Sequence, residues 1–184
     1  MRHQRRPGAV NFSQYIAKYV CEHITSDELP KLGVAGLEQG LDTPSLRILA
    51  GLNRNDSPFE IEHYFKLAIE ELNIKLPDKR QAALEFATAI VEEILEGKKD
   101  VISGTREIHS DAISSYDFFS ENKRYCYDSI GFERAYGLLN TCDDLSGAVE
   151  PWSKEKSNQE LLAETRAELL EELKKWKKYL KDGA

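Results

Sequence analysis

Residues 37–60, LEQGLDTPSLRILAGLNRNDSPFE, contain the pattern Asp-[Thr/Ser]-Pro twice, and the reading of that near-repeat decides the fold. Asp42-Thr43-Pro44 opens one apolar run and Asp56-Ser57-Pro58 opens the next. A hydroxyl residue before proline marks a helix start. Its side-chain oxygen can accept an orphan backbone N–H, and proline at the first helical position has no N–H to leave unpaired. Thr43 is therefore expected to cap a short helix over residues 44–50, which Gly51 ends in the left-handed conformation. Residues 53–56 read as a polar turn. Ser57 is the next cap, with Pro58 first in the helix and Glu60 placed to complete a capping box. Gly40 ends the helix before the motif. On this reading Gly40, Asp42, Thr43, Pro44, Gly51, Ser57, Pro58 and Glu60 fold the chain and carry no chemistry.

Working outward, helix signals recur and strand signals are nearly absent. Asn11-x-x-Gln14 is a capping-box pattern, with Phe12, Tyr15, Ile16, Tyr19 and Val20 on one face. Thr25-x-x-Glu28 opens a second helix, with Pro30 in its first turn. In the helix after Ser57, Ile61, Phe65, Ala68 and Leu72 share a narrow arc. Residues 79–96 carry the clearest apolar stripe (Ala83, Leu84, Ala87, Ile90, Val91, Ile94, Leu95), ended by Gly97. Asp100 is placed to cap a shorter helix reaching about His109. Residues 116–136 are expected as one or two helices around a bend near Gly131, and residues 146–151 as a linker. Ser157-x-x-Glu160 starts the last helix, where Leu162, Leu169, Leu173, Trp176 and Leu180 keep a seven-residue register that Arg166 interrupts. Its acidic first half and basic second half complement the helix dipole.

The expected fold is all-α, an irregular bundle of seven to nine helices. Residues 1–8 form a basic, flexible N-terminus, residues 9–150 a helical core domain, and residues 151–184 a long amphipathic helix packed on the core or used for association. No repeat of solenoid period is sustained.

Charge is unevenly placed. The formal net charge is −7. Residues 9–151 hold 14 basic and 25 acidic side chains. Such a body repels a phosphate backbone, which argues against nucleic acid and favours a basic protein partner. No apolar run approaches a membrane span, and no apolar core follows the basic MRHQRRPG segment as a signal peptide would require. Cys21, Cys126 and Cys142 lack a C-x-x-C pair and point to free thiols in a reducing cytoplasm.

Candidate chemistry is sparse. Glu60-x-x-His63 has a spacing used in di-iron bundles, but those need two such motifs, and His63 lies about 200° around the helix from Ile61. His109-Ser110-Asp111 holds the residue types of a nucleophile triad, yet consecutive residues on a helix face different ways. Asp143-Asp144 reads as a solvated turn, and no glycine loop is built to cradle phosphate. No catalytic, cofactor-binding or metal-ligating residue is assigned.

The aromatic segment says more. Tyr116, Phe118, Phe119, Tyr125, Tyr127, Phe132 and Tyr136 are seven of the chain's seventeen aromatics. Acids are interleaved among them, and tyrosine beside acid suits a protein-binding face. Tyr116, Asp117, Glu121, Tyr125, Tyr127, Asp128 and Glu133 are the candidate partner-binding residues, with the phenylalanines and some tyrosines left to form core.

The run Gly40-Leu41-Asp42-Thr43-Pro44-Ser45-Leu46-Arg47-Ile48-Leu49-Ala50-Gly51-Leu52 resembles a signature of small bacterial all-helical proteins with no established activity. The resemblance extends loosely to Glu96. It implies an all-helical fold and a bacterial cytoplasmic location, and brings no catalytic residues. The function expected is a non-catalytic protein-binding module, in its sharpest form an immunity-type inhibitor that neutralises a basic effector or toxin, as a monomer or weak homodimer. The rivals are a self-associating structural subunit and a small enzyme whose site is assembled from distant Glu, His and Asp residues.

Overall fold

The structure is a computed structural model that describes residues 12–183. The basic segment 1–8, with its expected flexibility, and the cap at Asn11 lie outside the described residues. Among the described residues there are eight α-helices and no strand: α1 (Phe12–Val20), α2 (Leu29–Glu38), α3 (Pro44–Gly51), α4 (Pro58–Glu71), α5 (Lys79–Leu95), α6 (Val101–Glu107), α7 (Glu133–Gly147) and α8 (Asn158–Gly183). The expected all-α architecture and long C-terminal helix are both present. The chain divides into two compact units, residues 1–82 and 83–184, and the division falls inside α5.

In the first unit α2, α3 and α4 pack on one another and α1 packs on α2. Phe12, Ile16, Leu29, Leu32, Leu46, Leu49, Ile61 and Phe65 form its buried core. Close approach of α2 and α3 rests on Gly33, where a Cβ would lie 2.7 Å from the Ala50 nitrogen. The opening of α2 is braced as expected, with the Glu28 carboxylate accepting the Thr25 N–H at 3.4 Å.

The near-repeat folds the chain through a different set of bonds from those its spacing suggests. Thr43 is a true cap, its Oγ1 accepting the Leu46 N–H at 3.3 Å. Asp42 pairs with Arg47 through two hydrogen bonds, which hold its carboxyl below the usual range. Buried Ser45 donates its N–H (3.0 Å) and hydroxyl (2.7 Å) to the Glu71 carboxylate, tying the start of α3 to the end of α4. Gly40 is left-handed at φ 83°, as its position requires.

Two expectations are corrected here. Gly51 is the last helical residue of α3 and is not left-handed; the chain leaves through Leu52 in an extended conformation, so no left-handed position is needed. The Ser57–Glu60 box does not form either. Ser57 makes no side-chain cap bond, and the exposed first turn of α4 leaves its N–H groups to water. The turn before it is held instead by Asp56, which accepts the Asn53 N–H (2.7 Å) and side-chain amide (2.8 Å).

In the second unit α7 packs along α8, and α6 lies against both. Leu169, Leu173 and Trp176 are buried on this face, which places α8 in the same compact unit as α7. Trp176 is 2% exposed; its Nε1 donates to the Ile130 carbonyl at 2.7 Å and its ring centroid lies 4.6 Å from that of Phe132. Ser157 and Glu160 do form the reciprocal box, at 2.8 and 3.2 Å. Arg166, the break in the apolar register, is exposed and pairs with Asp100. The segment expected as a linker is shorter than its sequence suggests, since α7 continues to Gly147.

Candidate functional site

The region between α6 and α7 departs most from regular helix. Asp100 caps α6 by accepting the Ile102 and Ser103 N–H groups. After Glu107 the helix widens into one π-turn over Ile108–Ala112. Such turns concentrate at functional positions. Short 3₁₀ turns follow at Ile113–Ser115, Phe118–Glu121 and Asp128–Ile130, so the α-helix expected around Gly131 begins only at Glu133. Gly131 does supply the bend, at φ 68°.

Side chains that compete with the backbone explain this conformation. Asp117 accepts the Ser120 N–H at 3.3 Å, and Asn122 Oδ1 accepts the Tyr127 N–H at 2.9 Å. The Asp128 carboxylate takes three successive N–H groups, from Lys123 (2.9 Å), Arg124 (2.6 Å) and Tyr125 (2.9 Å). These bonds hold its carboxyl below the usual range. The loop is therefore built around a half-buried carboxylate supplied by its own chain, which gives it a defined shape without α-helix or strand.

Tyr127 is the hub of the aromatic cluster. It is 5% exposed and left-handed at φ 65°, a conformation that a bulky residue adopts only when its surroundings impose it. Its ring meets Phe119 at 5.1 Å, Tyr136 at 5.2 Å and Phe132 at 6.2 Å between centroids. Its hydroxyl lies 3.0 Å from His109 Nε2, and burial pushes the phenol up to about 12. Burial likewise depresses the imidazole of His109, which stacks on Tyr136 at 4.7 Å.

The seven candidate binding residues therefore divide. Tyr127 is a correction: it is core, because its ring is enclosed by four others. Asp128 is occupied by the loop's own N–H groups. Tyr116 and Glu121 are half-buried, with Tyr116 edge-on to Phe118 at 4.8 Å. Asp117, Tyr125 and Glu133 are exposed. Phe119, assigned to the core on sequence, is instead 62% exposed, and Tyr125 is 58% exposed. The signal for Phe119 lay in the doublet Phe118-Phe119, since neighbours on a tight turn face different ways and Phe118 takes the inner place. The Arg124 guanidinium lies 5.1 Å from the Tyr125 ring centroid, a cation–π contact that helps to orient that ring.

The charge follows the same division. Residues 1–82 hold eleven acids and eleven bases, whereas residues 83–184 hold twenty-one acids and fourteen bases. The whole net charge of −7 thus belongs to the unit that carries the aromatic loop.

Other groupings offer less. His63 is exposed on α4, and among the described residues no three His, Cys, Asp or Glu side chains are grouped to hold a metal ion. His109 turns toward Tyr127, while Ser110 donates to Asp111 at 2.5 Å, so the three make no relay. Cys21, Cys126 and Cys142 are not joined in disulfides. An open depression of about 480 Å³ beside α5, α6 and α8 is lined by Lys98, Lys99, Asp100 and Arg166, each paired with an opposite charge. No described helix is long and apolar enough to cross a membrane. No known protein family matches the chain, and no curated protein or solved structure matches it either.

Proposed function

We propose that this chain is a non-catalytic protein-binding module that docks its partner through Phe119 and Tyr125, flanked by Asp117, Glu121 and Glu133. One observation carries the reading. Two large aromatic side chains stand more than half exposed on a loop whose backbone is fixed by Asp128, Asn122 and the Tyr127 hub. Rigid aromatic anchors lose little conformational entropy on binding, which is why such side chains dominate interface energetics. The negative balance of the same unit favours a basic partner and disfavours nucleic acid. In its sharpest form the module is a cytoplasmic immunity-type inhibitor that covers a basic effector or toxin domain. Burial of Leu169, Leu173 and Trp176 beside α7 supports a monomer over a self-associating subunit.

Affinity capture from the native host tests this, with wild type and the Phe119→Ser/Tyr125→Ser double variant compared at equal helicity. A basic protein retained by wild type, eluted by salt and lost from the double variant is the expected result. Equal retention by both baits would remove the aromatic loop from the interface.

A further inference from the structure

The hydrogen bond between His109 and Tyr127 joins the π-turn after α6 to the loop that carries the exposed aromatics. Tyr127 touches both sides of that connection. Its hydroxyl meets His109 Nε2 at 3.0 Å, and its ring packs on Phe119 at 5.1 Å. Its backbone is equally committed, with the N–H held by Asn122 and the carbonyl accepting the Phe132 N–H at 3.1 Å. A change at the hydroxyl therefore reaches Phe119 through one rigid ring.

We propose that His109 is a protonation-sensitive latch on the Phe119–Tyr125 loop: the neutral imidazole accepts the Tyr127 hydroxyl at Nε2 and holds the loop, and the imidazolium releases it. An imidazolium carries N–H at both ring nitrogens, so Nε2 can no longer accept the phenol proton. The charge would also sit in a half-buried aromatic environment without a carboxylate to balance it. The titratable groups facing the ring are Tyr127 from the loop and Tyr136 from α7. Cys126, hydrogen-bonded to Tyr127, is a neutral thiol raised by burial. The charged groups on the flanking helical turns are engaged elsewhere: Arg106 with Asp143, Glu107 with Lys99, and Asp111 with Ser110.

The direction of the pH effect follows from burial. The folded imidazole titrates below its ordinary value of 6.5. The unfolded or opened chain therefore takes up the proton first as pH falls. The latch is fully engaged above about pH 6.5 and is lost as pH falls from there through the folded pKa.

The consequence for docking rests on the binding reading above, but the latch itself is tested without a partner. Amide exchange of residues 117–131 should be followed at pH 7.5 and 5.0 and expressed as protection relative to the unstructured chain. Wild type should lose protection on acidification, while His109→Phe should show no such change. Tyr127→Phe keeps the ring and deletes only the hydroxyl, so it should show the acid level of protection at both pH values. Equal protection of wild type at both pH values, an equal fall in His109→Phe, or full protection of Tyr127→Phe at pH 7.5 would each overturn the latch. If the latch holds and Phe119→Ser/Tyr125→Ser still captures the same partner, the binding reading alone fails.

Discussion

The segment around α3 and the loop before α7 are both dense in motif-like residues, yet they use them in opposite ways. In the first, Asp42, Thr43 and Ser45 find partners within their own unit, in Arg47, the Leu46 N–H and Glu71. In the second, Asp117, Asn122 and Asp128 also turn inward, but Phe119 and Tyr125 are left out in solvent. Polar groups satisfied within their own unit, as Asp42, Thr43 and Ser45 are, mark scaffold. A rigid loop with two exposed aromatic rings is the surface for which a partner is proposed. The charge difference between the two units points the same way.

The largest effect that would sharpen this contrast belongs to the support beneath the loop. Trp176→Ala removes a buried ring and the donor to the Ile130 carbonyl, and should lower stability by about 3 kcal/mol or more in urea unfolding. Sedimentation of the same pair checks the assignment of α8. Wild type should sediment as a monomer or weak dimer, and a tight dimer that Trp176→Ala converts to a well-folded monomer would make α8 an oligomerisation element. Within the scaffold motif, Thr43→Ala should cost about 1 kcal/mol through loss of a working cap. Ser57→Ala, at the cap that does not form, should stay within about 0.5 kcal/mol of wild type. A reversed order of those two variants in thermal melts would contradict the bonding described for the near-repeat.

Local signals made the fold legible, and distant ones hid the site. Thr43, Thr25 with Glu28, and Ser157 with Glu160 sit within one helical turn of the groups they serve, so spacing alone reveals them. The stripe of Leu169, Leu173 and Trp176 is likewise a property of one helix. Ser45 and Glu71 are 26 residues apart, and no local rule connects them. His109 and Tyr127 are 18 apart, joined by a left-handed tyrosine where sequence rules expect glycine. Residue type misleads as well: Phe119 is more exposed than Tyr127, because Tyr127 has a partner for its hydroxyl and Phe118 already fills the inner side of the turn. The box fails at Ser57 and forms at Ser157, and both helix starts are exposed, so the spacing alone does not decide whether the bond is made.

The central claim is that the aromatic loop meets a partner and the scaffold motif does not. Phe59, 87% exposed in the first turn of α4, is the fair control, since it too is a solvent-facing ring beside a conspicuous motif. A photo-crosslinking phenylalanine analogue placed at position 119 or at position 59, irradiated in the native host, compares the two directly. The account predicts a discrete protein adduct from position 119 and none from position 59. An adduct from position 59 with none from position 119 would contradict it and move the functional face to the near-repeat.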